Sequence, residues 1–474
     1  MIVIFVHGWS VTDTNTYGLL PEAIAKQSAD YGLTVDIKHV WLGRYISFDD
    51  AVDMGDITRA FDSALRDTIP QGDGIEAFSC ITHSTGGPVV REWLDRYYGS
   101  EELAQSPLNH LVMLAPANHG SPLAALGKQR VGRIKAWFND IEPGQQVLDW
   151  LSLGSQPQID LAKAYLTYQP ASNGFYPFVL TGESIDKAFY DFINSYLTEP
   201  GSDGVVRVSG ANMNYSIAKF VETEERAEVK HAEDDLPVSL LSLEGAVQRP
   251  QAVPLGVVPK ASHSGKSKGI MRSVLSPTSS KPQVSEILQC LKVNSAQDYQ
   301  ARVQSLETLT ATTQQRTKRF INLVFVLTDD QGHAVTDYDV IFLAGPDRDP
   351  KGFKKGFFLD KQKNAANPNH IVFYVNYDVI AKTNLTGFRV IARPSEGFSF
   401  YHAVEYRVES SVVDSFLHPN ETLYIEVELR RRVDQGVFFF DEASDPKLRK
   451  EGVIFKSETR YDFTHQKPTG KEVK

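Results

Sequence analysis

The chain has 474 residues with a formal net charge of −10, and 42% of its residues are hydrophobic. That length calls for two or three domains, the apolar content excludes global disorder, and the acidic balance gives no electrostatic reason to expect nucleic acid as a partner. The two cysteines, Cys80 and Cys290, stand too far apart for a disulfide framework or a metal-ligand motif.

The chain begins MIVIFVHG. This apolar run lacks a basic flank and is too short for a signal peptide or a membrane span. It reads as a strand, Ile2–Val6, buried on both faces. The protein is therefore expected to be soluble, without a Sec leader, and either cytoplasmic or exported by a signal-peptide-independent route. Helical spacing follows over Tyr17–Tyr31, alternation over Val35–Trp41, a helix over Ile57–Ile69, a strand over Ile75–Ile81, a helix over Pro88–Tyr98 and a strand over Leu108–Ala115. Repeated strand–helix–strand units imply a parallel sheet with helices on both faces.

Residues 127–170 break this rhythm with Trp137, Phe138, Val147, Leu148, Trp150 and Leu151 among polar residues. They read as a helical insertion, either packing helices or a cap over a binding site. Tyr176–Thr181 and Val205–Val208 resume as strands, 211–260 reads as an insertion or long loop, and Val284–Val293 as a closing helix. From Phe320 the texture becomes all-β, with strand-like runs separated by turns at sandwich spacing. The expected organisation is an α/β domain over 1–293, a polar linker over 294–318, a β-sandwich-like domain over 319–432 and a loosely ordered polar tail over 433–474. A chain ending near Thr317 is then expected to keep its chemistry on soluble esters, provided the interface between the two domains is not large.

The chemistry centres on the stretch Ile81–Gly87, ITHSTGG. Ser84 lies between a predicted strand and a predicted helix, the context a nucleophile elbow requires, although the usual first glycine of G-x-S-x-G is Thr82 here. His7-Gly8-Trp9 ends the first strand. Acyl transfer needs two backbone N–H groups aimed at the developing oxyanion. Thr85, after the serine, and Trp9, in the loop after the first strand, are placed to supply them.

On these motifs the sequence resembles an α/β-hydrolase of the bacterial lipase type. FVHGW resembles the oxyanion strand, THSTGG the elbow, and LAPANHGSPLA (Leu114–Ala124) the segment after the next strand in bacterial lipases, phospholipases and related deacylases. The resemblance covers about residues 1–293 and implies an α/β-hydrolase core that lacks the usual first two antiparallel strands, with the order Ser, then Asp or Glu, then His.

Two acids compete. Glu183 directly follows the strand Tyr176–Thr181, whereas Asp203 lies in GSDGVV, which resembles the acid-bearing segment of several lipases, and Asp203 is favoured. Of the later histidines, His231 sits in a charged stretch, and His263, in KASHSGKS, is favoured as the base. His83 and His119 read as packing and loop-holding residues. The expected set is Ser84 as nucleophile, His263 as general base, Asp203 as its orienting acid, and Trp9 and Thr85 as oxyanion donors, with no metal and no cofactor.

The expected reaction is hydrolysis of carboxylic esters in lipids, by a lipase or a phospholipase of A type. The alternatives are an acyl hydrolase acting on peptides or polyesters, and a non-catalytic binding protein on the same fold. A lipid ester is the expected partner, with a transient membrane contact. Lys354, Lys355, Phe357 and Phe358 form one basic-aromatic stretch that suits such a contact, or else a solvated turn. Asp329, Asp330, Asp347 and Asp349 lack calcium-loop spacing and read as turn residues.

Overall fold

The run Ile2–His7 forms β1, and its alternate residues feed different cores. Ile4 and Val6 belong to one apolar cluster, and Val3 and Phe5 to another. A strand clothed on both faces needs this unbroken apolar composition. The computed structural model describes residues 1–7, 17–47, 49–69, 74–124, 144–185, 199–228, 237–394, 399–408 and 416–433.

Strands β2 (Asp36–Trp41), β3 (Phe78–His83), β4 (Leu108–Leu114) and β5 (Tyr176–Thr181) follow. The next two strands, β6 (Tyr215–Ala227) and β7 (Val238–Leu243), leave this sheet, and β8 (Leu255–Val257) returns to it. The resulting sheet has six strands in the order β2-β1-β3-β4-β5-β8, and all its pairs are parallel. This is the expected α/β core.

Helices cover both faces. On one side lie α2 (Met54–Thr68) and α3 (Gly86–Tyr97), which bury Ile57, Phe61, Val90 and Trp93. A reciprocal capping box between Asp53 and Asp56 starts α2. On the other side α1 (Leu20–Gln27) buries Leu20 and Ile24.

Helices α4 (Gln145–Leu151) and α5 (Gln156–Tyr165) come from the stretch read as an insertion. They form a layer between two cores. Val147, Leu148, Leu151 and Leu161 join the core of the parallel sheet, while Leu153, Ile159 and Ala162 pack against Tyr215, Val324, Val372 and Tyr424. Residues 144–165 are therefore packing helices. Trp137 and Phe138 lie outside the described residues.

Two more helices follow β8 on the α1 side, α6 (Pro282–Leu291) and α7 (Ala296–Thr313). The segment 294–318, read as a linker, is thus largely an 18-residue helix. Its buried face is narrow, with Tyr299, Arg302, Val303 and Leu306 at helical spacing, and most of its remaining residues are polar, which hid it. It fastens the short edge strand β8: Thr310 Oγ1 accepts from Val257 N–H and donates to Leu255 O, both at 2.9 Å.

The all-β part comprises β9 (Phe320–Asp329), β10 (Asp337–Ala344), β11 (Phe358–Lys363), β12 (His370–Asn376), β13 (Leu385–Arg393), β14 (Ser399–Phe400), β15 (Val404–Arg407), β16 (Thr422–Leu429) and β17 (Arg432–Val433). Seven of these strands join β6 and β7 in one mixed sheet of nine, ordered β10-β13-β15-β7-β6-β16-β9-β12-β11. Phe342 on the first strand stacks at ring distances of 5.0 Å on Phe373 and 5.8 Å on Phe325, near the other end of the order. The sheet thus folds over on itself and closes a sandwich-like core, and β14 and β17 pair separately as a two-stranded ribbon.

Two earlier readings are corrected here. Residues 211–260 are not a mere insertion of the first domain, because β6 and β7 stand in the middle of the nine-stranded sheet. There β6 runs parallel to β16 from Tyr215 opposite Thr422. Val205–Val208 is not a strand but part of a tight loop that leads into the helical turn Val208–Ala211. Among the described residues, no helix is long and apolar enough to cross a membrane.

Candidate active site

The sheet ends β3 at His83 and α3 begins at Gly86, so Ser84 must turn the chain within two residues. It does so with φ of 55°, a left-handed conformation that costs a non-glycine residue energy and that marks functional turns. The tightness of the turn explains why Thr82 is tolerated. A Cβ placed on Gly86 would sit 3.3 Å from Thr82 Cβ and 3.5 Å from Val6 O. Gly86 gives up its side chain, and Thr82 keeps its own. The N–H of Thr85 stands at the entry to α3, where the first backbone N–H groups have no intrahelical acceptor.

Two loops deliver the partners of Ser84. The loop after β8 carries His263, and the loop before the Val208–Ala211 turn carries Asp203. Ser84 Oγ–H donates to His263 Nε2 at 3.1 Å, and His263 Nδ1–H donates to Asp203 Oδ2 at 3.0 Å. The other carboxylate oxygen, Oδ1, accepts the N–H groups of Val205 and Val206 at 2.9 and 2.8 Å. A backbone bond from His263 N to Asp203 O, 3.0 Å, ties the two loops together. Asp203 and His263 are buried. A buried carboxyl group in such a place is tolerable because each of its oxygens has a hydrogen-bond donor.

Glu183 is held elsewhere. Gln314 Nε2 and Thr317 Oγ1 donate to it at 2.9 and 2.8 Å, and burial raises its pKa above the usual carboxylate range. His83 lies beside His263 with ring centroids 4.6 Å apart, and its Nε2–H donates to the His263 carbonyl at 3.1 Å. Burial first, and the neighbouring His263 second, hold the His83 pKa well below its ordinary value. It is a neutral packing partner of His263.

His119 holds loops, as expected. Its Nε2–H donates to Asn212 O at 2.8 Å, and Tyr424 OH donates to its Nδ1 at 2.7 Å. Trp9 and His231 lie outside the described residues. Asp329 accepts the N–H groups of Gln331 and His333, and Asp349 that of Lys351, as turn residues do. Among the described residues no cluster could hold a metal ion.

Sequence reasoning missed the buried residues that fasten the Asp203 loop to the nine-stranded sheet. Arg207, four residues after Asp203, is 1% exposed. A lone arginine in a hydrophobic-flanked loop carries no local signal of its distant partners.

The arrangement on the page is a strained strand-to-helix serine joined through a histidine to a buried carboxylate, on a parallel sheet with a mixed sheet appended. Solved structures share the fold over nearly the whole chain. Phospholipase PlaB from Legionella pneumophila is 42% identical, with a TM-score of 0.83 over 94% of this chain and 96% of that one. The same protein in complex with thio-NAD gives 41% identity and a TM-score of 0.82, over 94% of this chain and 97% of that one. The chain belongs to the lipase/phospholipase-like α/β-hydrolases, the family of PlaB. No family model matches the sequence, and no curated protein matches it. The likeness to PlaB extends through the nine-stranded sheet, so the appended domain belongs to the family's architecture and not to this chain alone.

Proposed function

We propose that this lipid ester hydrolase cleaves acyl esters of phospholipids through an acyl-enzyme on Ser84. The observation that carries the reading is the hydrogen-bonded series Ser84–His263–Asp203 on a left-handed elbow serine, in a chain 41% identical to a phospholipase. His263 takes the Ser84 proton as Oγ attacks the ester carbonyl. The N–H groups of Thr85 and, from its place in the sequence, Trp9 hold the oxyanion. The imidazolium returns its proton to the leaving alcohol, and a water activated by the same histidine then releases the fatty acid. Asp203 fixes the tautomer with the proton on Nδ1 and stabilises the positive charge.

Two further parts belong to this proposal. The apolar cap read over 127–170 belongs to this proposal through Trp137 and Phe138, residue types that suit an acyl chain, since the helices of 144–165 are committed to packing. The turn before β11 touches the membrane. Lys351, Lys354, Lys355 and Phe358 are exposed there, whereas Phe357 is buried and anchors the turn.

The test is a fluorophosphonate label on the purified protein, followed by product analysis on vesicles that contain both phospholipid and triglyceride. Labelling at Ser84 with fatty acid and lysophospholipid as products is expected. No label would favour the non-catalytic reading, and label with products from triglyceride alone would make the protein a lipase.

A further inference from the structure

We infer that Arg207 is a positioning residue through which the nine-stranded sheet holds Asp203 in register with His263. This rests on the Ser84–His263–Asp203 assignment above. Arg207 is the residue after Val206, whose N–H donates to Asp203 Oδ1 and whose carbonyl accepts from Asp203 N–H at 3.1 Å. The backbone that grips the carboxylate and the side chain that enters the sheet are therefore consecutive.

That side chain is fully built in. Its Nε and one terminal nitrogen donate to the Glu199 carboxylate at 2.8 and 2.9 Å, and the same terminal nitrogen also bonds Asp360 on β11. The guanidinium lies 4.1 Å from the ring centroid of Tyr374 on β12, and its other terminal nitrogen is 3.4 Å from Asn322 Oδ1 on β9. Tyr374 OH reaches past it to Pro200 O at 2.9 Å and Gly201 O at 3.2 Å. On the far side of Asp203, Thr422 Oγ1 donates to Ser209 O at 2.9 Å, and Asn212 Nδ2 donates to Asn420 O at 2.8 Å. The acid loop is thus fastened before, beside and after Asp203 to strands that carry none of the reacting groups.

A buried ion pair contributes little net stability when compared with apolar packing, because desolvation offsets the attraction. Its directional bonds do fix geometry, and geometry is what the acid needs. A misplacement of about 1 Å in such a set costs roughly 10²-fold in rate. Arginine serves here because its planar fork engages Glu199 twice and still presents a face to Tyr374.

The experiment compares Arg207→Met, Arg207→Lys, Tyr374→Phe and Asp360→Asn with the parent chain. Each is first shown to be folded by its melting transition. The readout is kcat and kcat/KM on a soluble p-nitrophenyl ester across pH. Arg207→Met should lose roughly 10²-fold in kcat. Its acid limb should move to lower pH, since an imidazolium that loses its carboxylate is easier to deprotonate. Arg207→Lys should fall between it and the parent chain. If Arg207→Met does not fold, the three milder variants decide, with smaller shifts in the same direction.

Folded variants with a lower Tm but an unmoved limb and unchanged kcat would overturn the inference and leave Arg207 a structural brace. Asp203→Asn serves as the control. If it keeps full activity, the triad assignment itself has failed, and that result is distinct from failure of the Arg207 inference alone.

Discussion

The parallel sheet takes its first five strands from one continuous stretch, Ile2 to Thr181, whereas the nine-stranded sheet gathers its strands from Tyr215–Leu243 and again from Phe320–Leu429. Most strands consecutive along the first stretch are neighbours in the sheet, so order along the chain nearly determines the pairing. In the second, β6 lies between β7, its neighbour in sequence, and β16, about two hundred residues away. The difference teaches that a change of composition need not be a domain boundary. The texture shifts at Phe320, but the sheet had already begun at Tyr215.

The most severe way to break this relation is to remove residues 319–474. The sequence reading expected such a chain to keep its chemistry. That expectation held only for a small interface, whereas β6 pairs with β16 and one apolar core is shared across the cut. The deletion strips β16 from β6 and exposes a long apolar edge together with the buried faces of α4 and α5. It also removes Asp360, Tyr374 and Thr422, which hold the acid loop. The expected outcome is aggregation, with no cooperative melting by circular dichroism and no fluorophosphonate label. A soluble product labelled at Ser84 would show that residues 1–318 fold alone.

Within the intact chain, Ser84→Ala should remove ester turnover by a factor on the order of 10⁶ while leaving the melting transition in place. Normal hydrolysis of a p-nitrophenyl ester by the folded variant would end the nucleophile assignment. Asp203→Asn should cost on the order of 10⁴ in kcat, as expected when the orienting acid of a triad becomes an amide and the tautomer is lost. Glu183→Gln should cost far less, because Glu183 is bonded to Gln314 and Thr317, not to His263. Reversed losses would make Glu183 the acid.

These residues also show what could be read in advance. The elbow was legible because its signal is local: a buried strand, a serine, a glycine two residues on, and a helix. His263 and Asp203 were singled out through short motifs, and their pairing across sixty residues was expected only from the order that the family resemblance implies, not from any local pattern. Helix α7 was misread because its buried face is only four residues wide. Strand β6 was misread because its second half, from Thr223, is charged and only partly buried. Its apolar first half pairs with strands that local periodicity cannot see. The fastening of the acid loop left no trace in pattern at all, since Arg207, Glu199 and Asp360 look like ordinary surface charges until the sheet brings them together.

The seam between the two sheets should also have a pH signature, smaller than the effects above. His119 bridges it, bonding Asn212 of the acid loop and Tyr424 of β16. Burial, and secondarily the charge of Arg91, push its pKa down to about 3 from an ordinary 6.5. The sign follows from proton uptake. Below about pH 6.5 the unfolded chain binds a proton that the folded chain refuses, so stability is full above that pH and declines as pH falls towards 3. The slope from one such group is at most about 1.4 kcal/mol per pH unit. His83, His110 and His370 are lowered by burial too and act in the same direction, whereas Glu183, raised by burial, opposes them. Comparing His119→Gln with the parent chain cancels these shared contributions. At pH 7.5 the variant should melt lower, having lost bonds worth roughly 1–2 kcal/mol. Between pH 6.5 and 5 its Tm should fall less steeply, so the gap narrows as pH drops. A gap that stays constant over this range would mean that His119 titrates alike in the folded and unfolded chains, and that the seam is more open to water than its hydrogen bonds imply.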